Sequence, residues 1–357
     1  MDGLNTVDTT RIPCDSAVEM AAEVSRMQWP VIPMLKSPKV VILVPDSEFY
    51  YSYMASSLVH DPIMGTLLFN SPNGLNDITR EEIQRLNPQG TKGVPPVIIV
   101  GPFRPKVAKE VENLGYDVLE IGGKNVFETA ANVARFREEI PPDSPDGAKS
   151  IFIVSADSPF EGLPAPYYSA HSGVPILLTT PSRLSPTTKK ILEEMSGKYV
   201  YVVGSKRAVS EKVVREISNI VDKPVRRIEG KDPYATAVEF ASYHDSETGL
   251  GWNRNKKGRG DVFSFTNIER WDLAVAAVAF AHQGKHTPLL LVSSESMPDS
   301  VLEYLNYLKP SLNSMHPMPP FMHGFILGTQ DAIPYEIQAE IEMALKIDEQ
   351  LTKGHKK

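Results

Sequence analysis

The chain has a single cysteine, Cys14, among 357 residues, which excludes an internal disulfide framework. That count also falls short of a zinc cluster built from closely spaced thiols. No run of about 18 apolar residues occurs, so no segment is a candidate membrane span. Positive charge is in deficit: the formal net charge is −7. This weighs against bulk attraction to nucleic acid or to an anionic polymer, and it confines any anion site to a local patch. Catalytic signatures are missing too, with no G-x-x-x-x-G-K-[ST] phosphate loop, no G-x-S-x-G elbow and no H-E-x-x-H pair. The expectation is a protein that is not an enzyme and has no cofactor or metal. The opening MDGLNTVDTTRIP is polar and lacks the charged-then-apolar pattern of a secretory signal. If Met1 is the native start, that predicts a cytoplasmic protein.

What the chain does have is repetition. VVILVPDS from Val40, IFIVSADS from Ile151 and VFSFTNIE from Val262 are apolar runs ending in small or acidic residues. Each is followed by a second run, GTLLFNS from Gly65, VPILLTTPS from Val174 and TPLLLVSSE from Thr287. A third run follows in PVIIVGPFRP from Pro96, YVVGSKRAVS from Tyr201 and GFILGTQDAI from Gly324. The step from Val44 to Val154 is 110 residues and from Val154 to Phe265 it is 111, a common domain size. The runs lack strict alternation, as strands buried on both faces of a parallel sheet do, and amphipathic stretches such as ITREEIQRL separate them. The fold class is therefore α/β, with three tandem modules of mostly parallel sheet and flanking helices, each with three core strands. The boundaries fall at 1–118, 119–224 and 225–345, followed by a tail at 346–357. Insertions before the first core strand of each copy (WPVIPMLKSP, REEIPPDSPDG and HDSETGLGWNRNKKGRG) read as surface loops.

Two further lines repeat: the start of each copy (RIPCDSAVEMA from Arg11, EIGGKNVFETAANVA from Glu120, RRIEGKDPYATAVEFA from Arg226) and the strand–glycine–helix run of YVVGSKRAVSEKVVREI. Together these resemble the type 2 cell-wall-binding repeat of Gram-positive bacteria and some archaea. The third copy keeps Arg227, Gly230, Asp232, Tyr234, Thr236, Ala237 and Asp272. The second keeps Gly123, Asn125, Thr129 and Ala130, with Glu161 at the helix-start position, and the first is the most degenerate. The resemblance covers about residues 10–345. It implies modules packed with pseudo-threefold symmetry, a cell-wall or cell-surface location, and non-covalent binding of an anionic, teichoic-acid-like wall polymer.

Candidate contacts to such a polymer are the cations near the strand–glycine junctions: Arg104 and Lys106 in the first copy, Lys206 and Arg207 in the second. Glycine there lets backbone N–H groups approach an anion. A tight turn with an N-cap such as Ser210 explains the same residues without a ligand. Arg227 and Lys231, clustered with Arg226 beside Tyr234, form a second candidate set, because a guanidinium can hold a phosphate or carboxylate bidentately. The competing reading pairs the repeated arginine with the helix-start acid across a module seam. Asp272 and Glu161 read first as helix caps, and Tyr234 as packing. His282 and His286 are four apart, but Gly284 and Pro288 mark a helix end rather than a metal face. The Met315–His323 stretch has soft ligands suited to copper(I), and packing on a neighbouring module is the more economical reading. Two other functions stay open on these residues: a cytoplasmic α/β protein binding a phosphorylated sugar or nucleotide at the sheet edge, and a self-assembling structural protein.

Overall fold

The computed structural model describes residues 5–30, 37–282, 286–310 and 322–347. Met315–Met318 and the tail from residue 348 lie outside the described residues. In chain order the strands are β1 (Thr9–Ile12), β2 (Val40–Pro45), β3 (Gly65–Asn70), β4 (Val97–Val100), β5 (Val118–Ile121) and β6 (Ser150–Ser155). Then come β7 (Ile176–Thr179), β8 (Tyr199–Val203), β9 (Arg226–Ile228), β10 (Val262–Asn267), β11 (Leu289–Val292) and β12 (His323–Leu327). They form three four-stranded sheets, in the orders β3-β2-β4-β5, β7-β6-β8-β9 and β11-β10-β12-β1. Every pairing within them is parallel. Strands β2, β3, β4, β6, β7 and β11 are buried along their whole length, as their unbroken apolar runs require.

Each sheet has one strand more than the repeats predict. The extra strand is the line that opens the next copy: β5 runs into the EIGGKN segment yet pairs with β4, and β9 opens the third copy yet pairs with β8. The first copy's own opening strand, β1, pairs with β12 of the third, Arg11 facing Ile326 and Ile12 facing Leu327. Each copy thus lends a strand to the copy before it, and the N-terminus closes the ring. The helix after each lent strand returns to its own copy, so Ala17–Gln28 lies against β3, Val126–Glu139 against β7 and Pro233–Ser242 against β11. Ser16, Asn125 and Asp232 cap these helices through bonds from Glu19 N at 3.2 Å, Glu128 N at 3.0 Å and Ala235 N at 2.7 Å. At Gly230 a Cβ would lie 2.5 Å from Thr236 N, so only glycine lets the lent strand turn so close to its helix.

The copies meet at their centre through the segments that follow β2, β6 and β10. The 3-10 turn Ser56–Val59, helix Pro164–Ser172 and the 3-10 turn Val278–Ala281 pack against one another around a pseudo-threefold axis. Two tyrosines bridge the copies there: Tyr53 Oη donates to the Pro159 carbonyl at 2.8 Å, and the fully buried Tyr167 Oη to the Ala274 carbonyl at 3.0 Å. The third insertion departs from the surface-loop expectation. It buries Leu250 and Trp252, lays the Trp252 ring on His171 at 4.5 Å, and gives Gly251 N to Tyr168 Oη at 2.8 Å. Its apolar residues pack the second copy against the third.

Arg11 holds the ring closed. It is 3% exposed and donates to the carbonyls of Gly328 at 2.9 Å, Thr329 at 2.8 Å and Ile333 at 2.8 Å, and to Gln338 Oε1 at 2.9 Å. Replacing Arg11 by Met leaves buried acceptors without donors, and urea denaturation should show a loss of about 4 kcal/mol. A change under about 1 kcal/mol would mean that closure does not depend on this side chain.

Candidate functional site

The third strand of each sheet ends in a glycine with positive φ: Gly101 at 113°, Gly204 at 118° and Gly328 at 121°. Each glycine N–H bonds the last carbonyl of the lent strand, Ile121 at 3.2 Å, Ile228 at 3.0 Å and Ile12 at 3.0 Å. The repeated glycine is therefore a demand of the backbone, which must turn over the end of the neighbouring strand. The turn places a short loop at the C-terminal rim of each sheet.

The second rim is the most tightly tied. Glu161 accepts Ser205 N at 3.0 Å and Ser205 Oγ at 2.9 Å, while Arg227 donates to the Gly204 carbonyl at 2.8 Å and the Val209 carbonyl at 2.8 Å. Ser210 N bonds the Pro181 carbonyl at 2.8 Å, and Ser210 Oγ caps helix Glu211–Ser218, as the N-cap reading expected. Arg227 repeats the geometry of Arg11 one sheet away, reaching the glycine and the residue five positions on. In the first sheet Glu120 stands at this place, paired in register with Ile99, and the clamp is missing.

Several candidate residues have structural partners. Arg227 spends its guanidinium on loop carbonyls and on Glu211 at 3.3 Å, so its partner is neither Glu161 nor Asp272, the helix-start acids of the repeat. Glu161 ties down the rim loop rather than its own helix end. Asp272 does not cap its helix either, because it pairs with Arg270 at 3.1 Å, and Arg270 reaches across the seam to Asp15 at 2.6 Å. Arg226 and Arg227 are split, since neighbours in a strand face opposite ways. Arg226 pairs with Asp245 at 2.9 Å and with Glu247, over the rings of Tyr199 and Tyr201. Tyr234 is half-buried against the core, and burial raises its hydroxyl pKa.

Five cations remain at the first and second rims with their charge outward. Lys206 is exposed with Glu211 at 3.8 Å, and the exposed Arg207 and Lys231 have no side-chain partner among the described residues. In the first copy Arg104 is exposed ahead of helix Pro105–Glu112, and Lys106 lies 3.7 Å from Glu110. The third rim presents Thr329, Gln330 and Asp331 and no cation.

The sequence pattern of cell wall binding domain 2 (CWB2) matches residues 120–214 and 227–338, more than half of the chain. The chain belongs to this family. Its first copy falls outside the matched residues, in line with its eroded motif. The chain is similar to the amidase enhancer of Bacillus subtilis, 26% identical over 301 residues that make up 83% of this chain and 36% of that protein. In fold it is similar to Cwp6 of Clostridium difficile, with a TM-score of 0.73 at 16% identity over 95% of this chain and 50% of the other. Cwp8 of the same organism gives 0.72 at 18% identity over 96% and 52%. The chain therefore spans about a third of the curated relative and about half of each solved structure. Among the described residues of this CWB2 protein, no helix is long and apolar enough to cross a membrane.

The family signature is thus a fold signature in this chain: the arginine clamps, the glycines turn and the Asp or Asn caps. Replacing Glu161 by Ala should unpin the second rim loop at a cost of about 2 kcal/mol. Hydrogen exchange of the Ser205 amide should rise with it, and unchanged protection would show that Arg227 alone holds the loop.

Proposed function

We propose that the chain is a non-catalytic anchoring unit that binds an anionic secondary cell-wall polymer at the C-terminal rims of its sheets. The second rim, with Lys206, Arg207 and Lys231, is the main contact, and Arg104 and Lys106 form a weaker counterpart on the first. The observation that carries this reading is the contrast at the second rim. Its loop is pinned by Glu161, Arg227 and Ser210, while its cations stay outward with little or no pairing. A rigid loop loses little entropy when a polymer is bound, and exposed amines and guanidinium suit phosphate or carboxylate groups.

The net charge of −7 limits long-range attraction, so affinity comes from local contacts and from repetition along the polymer. Cosedimentation with purified walls, intact and acid-stripped, tests the reading. Intact walls should pellet the protein, stripped walls should not, and the double substitution Lys206→Ala, Arg207→Ala should weaken retention about tenfold without unfolding. Retention should also fall as salt rises. Equal pelleting with stripped walls, or salt-independent retention by the double variant, would contradict it.

Self-association is a second reading, favoured by one feature of the third copy. Leu302, Tyr307, Tyr335 and Met343 are exposed around helices Asp299–Leu308 and Tyr335–Leu345. Light scattering should then show mass rising with concentration, and a strict monomer would remove this reading.

A further inference from the structure

The centre of the molecule holds a cluster that wall binding does not use. His60, His171 and His282 follow Val44, Val154 and Phe265 by 16, 17 and 17 residues, so each copy sends one histidine to the same place beside the axis. His282 does follow a helix end, the 3-10 turn Val278–Ala281. The chain then brings back a fourth histidine, His286, with φ at 52°. His171 Nδ1 lies 3.1 Å from His286 Nδ1, and the His60 and His282 rings are 4.8 Å apart. One nitrogen from each of His171, His282 and His286 falls within a group no wider than 4.8 Å.

These distances suit an ion. A tetrahedral zinc with Zn–N bonds of 2.0–2.1 Å holds its ligand nitrogens about 3.3 Å apart. The His171–His286 pair is already at that spacing, and His282 needs a small inward shift. His282 is 8% exposed, and neither of its ring nitrogens has a hydrogen-bond partner. Burying an imidazole in that state is costly unless something else satisfies it. Asp61 Oδ2 lies 3.6 Å from His282 Nε2, where a carboxylate can orient a ligating imidazole and leave Nδ1 for the ion.

Protonation favours binding as well. Burial pushes His171 down to about 3 and lowers His60, His282 and His286, so the rings are neutral near pH 7 with lone pairs available. The charged groups acting on the cluster are Asp61 and Asp143, opposed by Arg137 and Arg254. Arg137 is 1% exposed and has two unpartnered nitrogens, so the pocket is polar without being strongly anionic. An all-imidazole set selects borderline first-row ions over calcium or magnesium, which take oxygen ligands.

We propose that His171, His282 and His286 bind one zinc ion that joins the second and third copies beside the axis, with Asp61 orienting His282. The ion replaces the proton between the two Nδ1 atoms, which moves to Nε2 of its ring. Three protein ligands leave the fourth position to water.

The test uses the full chain stripped with a chelator and titrated with cobalt(II) as a visible probe, then with zinc(II). One cobalt per chain should give the absorption of a tetrahedral site, and zinc should displace it. His282→Gln and His286→Asn should each weaken binding by at least about 100-fold, no less than losing an outer partner costs elsewhere. Asn tolerates positive φ, so His286→Asn should stay folded. Asp61→Asn should weaken binding about tenfold. His244→Ala, at an exposed histidine, should change nothing. Wall cosedimentation of His286→Asn should match the unsubstituted chain, which separates this site from the polymer rim. Absence of a tetrahedral cobalt spectrum would overturn the proposal. So would binding that survives in both folded His282→Gln and His286→Asn, because the ion would then sit elsewhere.

Discussion

The lent strand is the constraint on which the rest depends. A parallel sheet of three strands leaves one edge of the third without partners, and each copy covers that edge with the first strand of the next. Because β1 covers the last edge, the three sheets form a closed set in which no copy is complete by itself. Arg11 and Arg227 fasten two of the three exchanges by bonding the carbonyls of the loop beyond the covered strand. The same arginine fixes the loop that carries the outward cations of the second rim. Ring closure and rim geometry are therefore one interaction, and a weakened clamp should loosen both.

This arrangement explains why the copies can diverge. Where Glu120 replaces the clamp, the first exchange rests on the ladder between β4 and β5 and on Gly101 N bonding Ile121. Where the third rim has Asp331 in place of a cation, Arg11 still holds its loop. Scaffold and surface are separable in this fold: the inward donors fix the loops, and the outward side chains are free to vary. The central packing of Ser56–Val59, Pro164–Ser172 and Val278–Ala281, bridged by Tyr53 and Tyr167, joins all three copies without using the rims.

Much of the architecture was legible in the sequence because unbroken apolar runs such as VVILV and IFIVS have few ways to be buried. The three-copy α/β fold follows from them and from their spacing. Strand exchange was not legible, because parallel pairing leaves no local mark and β9 has only three residues, Arg226–Ile228. The rim residues were half legible. The loop sequence marks Lys206 and Arg207, which stand exposed, but Arg227 carries donors that bind a phosphate or a carbonyl equally well, and only its neighbours decide. Asp272 shows the same limit, since a carboxylate at a helix start can cap or can pair, and Arg270 makes it pair. The histidine cluster has a sequence signal other than the i, i+4 spacing of His282 and His286: one histidine at nearly the same offset in each copy.

Wall association, on this account, is the work of a pinned cationic loop rather than of the molecule's overall charge. The measurement that tests this most directly is a titration of the intact chain with purified secondary wall polymer, followed through assigned backbone amides. The account predicts saturable shifts concentrated at residues 204–210 and 230–232, smaller shifts at 102–106, and none in the third rim at 329–331. Shifts absent from the second rim, or spread evenly over the three rims, would contradict it.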